Sequence, residues 1–447
     1  MNNLKALAFN AALFYEHLTN KEATKANQIL DRADQLDRNG ILQMKEEAFQ
    51  DIIKHTLEYS SYYKEIAQQR GLTASDFKSI ADLNKLPYLT KDIIKSRRND
   101  IIVNNIPESE CIKRTSGGTT GEPIYIEVDK QCRTNDLYFY YRGLRWMGWQ
   151  PGYQMVKFFG GSLSGQNAPT LRNKIKKYLS GEVFLPAFNF NKDTALQYLD
   201  TVKAQGETFV QGYVSSIYNL AVLTKELNYK GLKIKGAFTT AEQLPDEQAQ
   251  FVKEVLGCDV KAFYGCAEIN CLGFQTIMGG RYISPDEIIH IESTQHPDLP
   301  LDNAFLLTSL FNKKTPLLRY LNGDNGTLGS HGKYSTIEEL SGRSADMFRR
   351  KDGSLISSIV ATQTMQITGL THKVKKYQLW QTAIDKVEIP YLPFLESEPL
   401  SAEERKHIEA MYKKRLGDEF EVTMYLSDQF VQSASGKHRL MINKLNS

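Results

Sequence analysis

The sequence contains little cysteine. Its 447 residues include five cysteines and no Cys-x-x-Cys pair, which argues against a disulfide framework. Scarce cysteine is typical of a reducing compartment, and we expect a cytoplasmic protein. One region contains a cluster of candidate zinc ligands, Cys258, Cys266, Cys271, His290 and His296. Because they include no Cys-x-x-Cys pair, zinc is the weaker alternative to ordinary packing.

Excess charge and long hydrophobic runs are also absent. The chain has 55 Lys and Arg against 52 Asp and Glu, a net charge of +3, which gives no electrostatic case for a nucleic-acid partner or an anionic membrane. No apolar run is long enough to span a bilayer. The apolar segment Leu4–Leu13 lacks the basic region and cleavage site of a signal peptide. We therefore predict a helix that packs on a globular protein.

The most distinctive stretch is rich in glycine and hydroxyl residues. It follows Lys113 and Arg114 and reads Thr115-Ser116-Gly117-Gly118-Thr119-Thr120-Gly121. Glycine lets backbone N–H groups approach an anion, and hydroxyls and cations add donors. A phosphate loop and an ordinary surface turn both fit this composition. A Walker-type loop would open a helix, whereas Ile124–Val128 alternates like a strand, so we predict a loop between two strands.

The rest of the chain alternates between helical and strand patterns. Residues 1–100 are predicted to be mainly helical. Further helices are predicted at residues 130–146, 192–204, 215–227, 246–256 and 402–415. Strands are predicted at residues 153–159, 208–211, 232–238, 260–264, 304–310, 317–320, 375–381, 387–391 and 419–426. This alternation is typical of parallel strands covered by helices.

A change of composition marks a domain boundary. Gly, Ser, Arg, Lys and Asp predominate over residues 341–353, without periodicity. We predict a large N-terminal α/β domain at residues 1–342, with mixed, mostly parallel sheets and a helical leader at residues 1–100. A hinge at residues 343–353 would connect it to a small α+β lid domain at residues 354–447.

Four more stretches carry chemically useful side chains. They are Tyr264-Gly265-Cys266-Ala267-Glu268, Arg319-Tyr320-Leu321-Asn322-Gly323-Asp324, Gly342-Arg343-Ser344-Ala345-Asp346 and Ser435-Gly436-Lys437. Taken singly, they also fit a strand end, a turn, a linker and a solvated loop. Their order and spacing, together with the glycine-rich stretch, favour one shared site.

In this order the five stretches resemble the motifs of the adenylate-forming superfamily, which includes acyl-CoA synthetases, luciferases and non-ribosomal adenylation domains. The resemblance covers about residues 40–445. Within the superfamily the chain is similar to the phenylacetate–CoA ligase-like group. Three stretches look like its capsular-polysaccharide-biosynthesis (CapK-type) branch: Arg142…Gly148-Trp149…Gly152, Phe159-Gly160-Gly161 and Gln211-Gly212-Tyr213-Val214-Ser215.

The resemblance implies an ATP-dependent, AMP-forming ligase that activates a small carboxylic acid as an acyl-adenylate. It implies that the loop Ser116–Gly121 holds the β- and γ-phosphates of ATP and that Glu268 helps to hold Mg²⁺. Lys437 would bridge the carboxylate and the α-phosphate. Arg343 would contact the ribose or a phosphate. Lys437, Glu268 and Arg343 are therefore the implied catalytic residues.

The resemblance also implies the nucleoside site. Ala241 and Glu242 fall where the family contacts adenine, and Tyr264 and Gly265 would lie beside the same base. Asp324 would accept hydrogen bonds from the ribose hydroxyls.

Several alternatives are consistent with the sequence. The acceptor is a thiol such as CoA, or an amine on a sugar or carrier. A non-catalytic nucleotide-binding scaffold is a third alternative, and the chain is a monomer or a homodimer. The aromatic stretch Tyr138–Trp149 either lines an acyl pocket or packs in the core. Lys373–Lys376 is either a basic patch for CoA or an exposed face.

Overall fold

A computed structural model describes most of the chain. The described residues are 7–11, 16, 18–115, 124–159, 181–187, 192–240, 244, 246–295, 303–341, 348–351, 355–356, 364–365, 367–395, 398–431 and 440–445. None of the helices within these ranges is long and apolar enough to cross a membrane.

The helices follow the predicted pattern closely. They are α1 (Lys21–Gln35), α2 (Arg38–Tyr59), α3 (Ser61–Gln69), α4 (Lys91–Ser96), α5 (Arg98–Ile101), α6 (Lys130–Trp146), α7 (Lys192–Ala204), α8 (Val214–Glu226), α9 (Asp246–Leu256) and α10 (Ala402–Leu416). The helical leader is thus confirmed within the described residues, and α6, α7 and α9 have the predicted bounds. α6 begins directly after a strand because the Asp129 carboxylate accepts a hydrogen bond from the Cys132 N–H at 2.9 Å.

The strands give four sheets. They are β1 (Cys111–Thr115), β2 (Tyr125–Asp129), β3 (Gln154–Phe159), β4 (Glu182–Pro186), β5 (Glu207–Tyr213), β6 (Lys233–Thr240), β7 (Val260–Tyr264), β8 (Gly273–Gln275), β9 (Tyr282–Ile283), β10 (Ile289–Thr294), β11 (Ala304–Ser309), β12 (Tyr320–His331), β13 (Tyr334–Ser341), β14 (Phe348–Arg349), β15 (Leu355–Ile356), β16 (Val374–Tyr377), β17 (Leu379–Ala383), β18 (Lys386–Pro393), β19 (Glu421–Leu426) and β20 (Met441–Asn443).

The largest sheet is mixed. Its order is β10-β11-β12-β13-β9-β8-β7-β6-β5-β3-β4. The strands from β4 to β7 are parallel neighbours, joined in turn by α7, α8 and α9. The pairings from β7–β8 to β10–β11 are antiparallel. The mixed α/β fold is confirmed, with a larger antiparallel share than predicted.

The glycine-rich stretch is flanked by an antiparallel strand pair. β1 pairs with β2 in a separate two-stranded sheet, with Thr115 opposite Tyr125. The chain therefore leaves one strand at Thr115 and returns on its neighbour ten residues later. The prediction of a strand on each side of the loop is confirmed.

Two predicted strands are wrong. The strand predicted at residues 317–320 has the wrong bounds. Residues 317–319 lie before the observed strand, since β12 begins at Tyr320 and continues to His331. The Gly323–Gly326 segment, which resembles a turn, is thus inside a long strand that pairs with both β11 and β13. The strand predicted at residues 375–381 is two strands, β16 and β17, separated at Gln378, whose amide donates to the Val431 carbonyl oxygen at 2.6 Å.

The two largest hydrophobic clusters of the described residues pack on the large sheet, and the third largest lies in the C-terminal part. The first contains side chains of the leader, α6 and the antiparallel strands, and the second packs α7, α8 and α9 on the parallel strands. α6 lies so close to β8 that a Cβ on Gly143 would overlap the Phe274 ring. The third cluster contains only residues from Phe348 to Met441. The hinge predicted at residues 343–353 remains a proposal.

Candidate active site

The carboxyl end of β7 turns sharply after Tyr264. A Cβ on Gly265 would overlap the Asn270 carbonyl oxygen, so this turn requires glycine. The Ile269 N–H donates to the Cys266 sulfur at 3.4 Å, and the Leu272 N–H donates to the Tyr264 carbonyl oxygen at 3.0 Å. The turn thereby holds Glu268 near the edge where the parallel strands end, which is where ligands bind in sheets of this kind.

Strand β12 presents three polar side chains to this turn. Tyr320, Asn322 and Asp324 are buried and alternate with more exposed residues, so they share one face of the strand. The Tyr320 hydroxyl donates to Oε1 of Glu268 at 2.7 Å. The side chains of β12 therefore fix residues of the β7 turn across the sheet.

Tyr264 and Asp324 belong to one hydrogen-bonded group. The Tyr264 hydroxyl donates to Oδ2 of Asp324 at 2.5 Å, and Nδ2 of Asn322 donates to the same oxygen at 2.6 Å. Burial, and then the Asp324 carboxylate, raise the pKa of Tyr264 well above its ordinary value. The phenol therefore stays protonated and holds the carboxylate in one orientation.

Glu268 has the chemistry that Mg²⁺ requires. Its side chain is buried, and one carboxylate oxygen is held by Tyr320. Among the described residues, no hydrogen bond reaches the other oxygen. Mg²⁺ bound with nucleotide phosphates commonly takes only one or two carboxylate ligands, so Glu268 fits the predicted role.

The helical leader supports the start of β12. Leu89 bridges to Tyr320, with hydrogen bonds from the Leu89 N–H to the Arg319 carbonyl oxygen at 3.1 Å and from the Leu321 N–H to the Leu89 carbonyl oxygen at 2.9 Å. Arg319 has a φ of 53°, and its guanidinium binds the Leu86 carbonyl oxygen at 2.7 Å and Glu292 at 3.1 Å. Arg319 therefore has a positioning role.

The strand before the glycine-rich stretch is anchored by an ion pair. The Arg114 guanidinium lies 2.6 Å from the buried carboxylate of Asp136 on α6. The sequence predicts Arg114 as a donor to phosphate, whereas in the structure its guanidinium connects β1 to α6. Lys113 lies 3.8 Å from Glu108 and is largely exposed.

The remaining predicted site residues lie outside the described residues. These are Ser116, Gly117, Gly118, Thr119, Thr120, Gly121, Ala241, Glu242, Arg343 and Lys437. The structure therefore brings together Tyr264, Gly265, Glu268 and Asp324, and the roles of all the site residues stay predictions.

Sequence reasoning missed Tyr320 and Asn322 as site residues. Both were part of a quoted motif, but a strand ending at Tyr320 gave no reason to connect them. If the strand had been extended through Asp324, its two-residue period would have placed Tyr320, Asn322 and Asp324 on one face.

The candidate zinc ligands have other surroundings. All five cysteines are free thiols. Cys258 packs in the second hydrophobic cluster, and the Cys271 thiol donates to the Asp136 carbonyl oxygen at 3.8 Å. In the part of the chain that the structure describes, no three His, Cys, Asp or Glu side chains are placed to hold a metal ion. His296 is outside it.

His290 is expected to make stability depend on pH. Burial, Lys45 and Arg319 lower its pKa to about 3, against about 6.5 in an unfolded chain. The unfolded state therefore binds the extra proton between these values, and stability falls as the pH drops below 6.5. We expect a loss of about 2 kcal/mol from pH 7 to pH 5. Urea unfolding of His290→Gln should show a weaker pH dependence, and exposed His331→Gln is the matched control.

The large sheet, its helices and the C-terminal sheet define a class of fold that solved structures share. A 2-hydroxyisobutyryl-CoA ligase in complex with 2-HIB-AMP is 17% identical with a TM-score of 0.69, and the match covers 91% of this chain and 90% of that one. An acyl acid amido synthetase is 13% identical with a TM-score of 0.62, over 95% of each chain. The chain has the fold of these adenylate-forming ligases, as the sequence resemblance predicted.

One curated relative agrees with the predicted branch. Protein CapK of Staphylococcus aureus is 21% identical over 423 residues, which cover 91% of this chain and 90% of the relative. No family model matches the sequence.

Proposed function

We propose that the protein is an ATP-dependent, AMP-forming ligase. A carboxylate oxygen of the substrate attacks the α-phosphorus of ATP, a new O–P bond forms, and the bond from the α-phosphorus to the bridging oxygen breaks. Pyrophosphate leaves, and the acyl-adenylate remains. A nucleophilic acceptor then takes the acyl group and releases AMP.

One observation carries the proposal. The β7 turn contacts one face of the distant strand β12 through hydrogen bonds of 2.5 to 2.8 Å, from Tyr264 to Asp324, from Asn322 to Tyr264 and from Tyr320 to Glu268. These contacts lie at the carboxyl end of β7 in a chain with the fold of adenylate-forming ligases. A protein that only kept the fold would have no chemical need for this arrangement.

The predicted roles follow the chemistry of phosphoryl transfer, in which positioning and charge stabilisation supply most of the catalysis. Glu268 would hold Mg²⁺, which shields charge on the phosphates when bound. Asp324, oriented by Tyr264, would accept from the ribose hydroxyls, and Ala241 and Glu242 would lie beside adenine. The loop Ser116–Gly121, Arg343 and Lys437 would complete the phosphate site.

We propose CoA as the first acceptor, since a CoA ligase shares the fold over 91% of this chain. An amine is the second candidate. It is favoured by the full-length similarity to Protein CapK and by the shared fold of an acyl acid amido synthetase.

ATP–pyrophosphate exchange tests the first step. The purified full-length protein is assayed with Mg²⁺ and with a panel of aryl acids, aliphatic acids, hydroxy acids and amino acids. We expect exchange that depends on one class of acid. CoA-dependent release of AMP would then support the thiol acceptor. Exchange with an amino acid, together with no effect of CoA on the release of AMP, would support the amine acceptor. If no acid gives exchange, the proposal is wrong and a nucleotide-binding scaffold is favoured.

A further inference from the structure

A second group of polar side chains lies between α6 and the parallel strands. We call it the polar cluster, and it consists of Tyr140 on α6, Lys157 on β3, Glu182 on β4 and Gln211 on β5. The Tyr140 hydroxyl donates to Oε1 of Gln211 at 2.7 Å, and the Lys157 ammonium lies 2.6 Å from Oε1 of Glu182. Lys157 and Gln211 are register partners on neighbouring strands.

The polar cluster is more elaborate than strand pairing requires. An ion pair between Lys157 and Glu182 would suffice to hold the edge strand β4 to β3. That ion pair explains neither the amide of Gln211, which is 1% exposed, nor the hydroxyl of Tyr140. Tyr140 and Gln211 satisfy each other only in part, and a buried polar group without all its partners is costly, so this pair calls for a second explanation.

Gln211 has an unused hydrogen-bonding group. Its Oε1 accepts from Tyr140, but no residue in the described part of the chain binds its Nε2. If the amide were turned over, the oxygen would be the unbound end instead. In either orientation a buried amide keeps one end for another molecule. The Lys157 ammonium has three N–H groups, and its contacts with Glu182 and Tyr140 use at most two of them.

The polar cluster contacts the strand that carries the candidate active site, one residue before Tyr264 and on the other face of β7. The ring of Tyr140 is 6.0 Å from the ring of Phe263, the residue that directly precedes Tyr264 on β7. α6 is also the helix that follows β2 after the glycine-rich stretch. A small acid with its carboxylate at the predicted nucleotide site could therefore extend between α6 and the sheet toward Gln211.

We propose that the polar cluster recognises a neutral oxygen substituent, a hydroxyl or a carbonyl, on the acyl part of the substrate. This inference rests on the proposed function. The charges of Lys157 and Glu182 cancel, so a second carboxylate on the substrate would meet no excess of positive charge. A hydrocarbon substituent would leave the Gln211 amide unpaired at a cost. The substrate is therefore a hydroxy- or oxo-carboxylic acid.

Paired acids test this inference in the exchange assay. Benzoate is compared with its ring-hydroxylated forms, and butanoate with its hydroxy and oxo forms. In a pair that supports exchange, we expect the oxygenated acid to have at least about tenfold higher kcat/KM, because its unsubstituted analogue leaves buried donors unpaired. In Gln211→Leu this preference should fall to near unity, with a smaller fall in Tyr140→Phe.

Tyr153→Phe is the matched control, because it removes a phenolic hydroxyl beside Phe209 at the other end of the same strands. It should keep the wild-type preference. If Gln211→Leu fails to fold, the Tyr140→Phe result decides. Exchange with no preference for oxygenated acids, or a preference that survives both substitutions, overturns the inference but leaves the proposed function intact. No exchange with any acid overturns both.

Discussion

Replacement of Lys437 by alanine is expected to lower acyl-adenylate formation by about 10³-fold or more. In the predicted role, its ammonium neutralises both the attacking carboxylate and the α-phosphate, two anions that repel each other as they approach. A single neutral donor in such a site commonly accounts for 10²- to 10³-fold in kcat, and a charged group is at least as important. The measurement is ATP–pyrophosphate exchange at saturating acid and ATP.

ATP binding and acyl transfer should survive this substitution. ATP binding depends mainly on the adenine, ribose and β/γ-phosphate contacts, so the dissociation constant for ATP should change little in Lys437→Ala. Acyl transfer from a supplied acyl-adenylate should also continue. Lys414→Ala, which removes an exposed charge on α10, is the control for a general loss of positive charge. Exchange at the wild-type rate in Lys437→Ala would show that the assignment of this lysine is wrong.

Local patterns in the sequence were sufficient where an element has its own signals. α6 has the predicted bounds because Asp129 caps it and its apolar residues recur at helical spacing. α9 ends as predicted at Leu256, because Gly257 follows it with a φ of 69°. Neither assignment needs information from a distant part of the chain.

Local patterns predicted the wrong secondary structure where pairing with distant strands determines it. The Gly323–Gly326 segment has the composition of a turn, but its neighbours β11 and β13 extend it into a strand. A Cβ on Gly326 would overlap the Glu339 carbonyl oxygen, so this glycine permits a close approach between strands and makes no turn. Tertiary pairing overrode local preference here.

The candidate site also has one part that the sequence predicts and another part that depends on distant pairing. Motif order was enough to connect Tyr264, Glu268 and Asp324. The partners that orient them, Tyr320 and Asn322, needed the full extent of β12. The polar cluster could not be predicted, since Tyr140 and Gln211 are 71 residues apart and nothing local in either stretch indicates the other.

Replacement of Asp324 by alanine is expected to raise the KM for ATP by about 10²-fold. Hydrogen bonds to a charged group contribute about 1.5–3 kcal/mol each, and the predicted site offers two ribose hydroxyls to this carboxylate. KM is measured by exchange at varied ATP and fixed acid. KM for the acid should change far less, because the predicted contact is with the nucleotide alone.

Two milder variants separate the ribose contact from the support of the site. Asp324→Asn keeps the volume and an acceptor for Tyr264 but loses the charge, so the rise in KM for ATP should be smaller than in the alanine variant. Tyr264→Phe keeps the ring beside the predicted adenine position and removes one of the hydrogen bonds that orient Asp324. It should raise the KM for ATP about tenfold.

Equal KM values for ATP in wild type and Asp324→Ala, with the fold intact by thermal unfolding, would remove Asp324 from the nucleotide site. A large effect of Tyr264→Phe beside a small effect of Asp324→Ala would instead assign the main contact to the tyrosine hydroxyl, since a residue that acts only by orienting Asp324 cannot matter more than Asp324 itself.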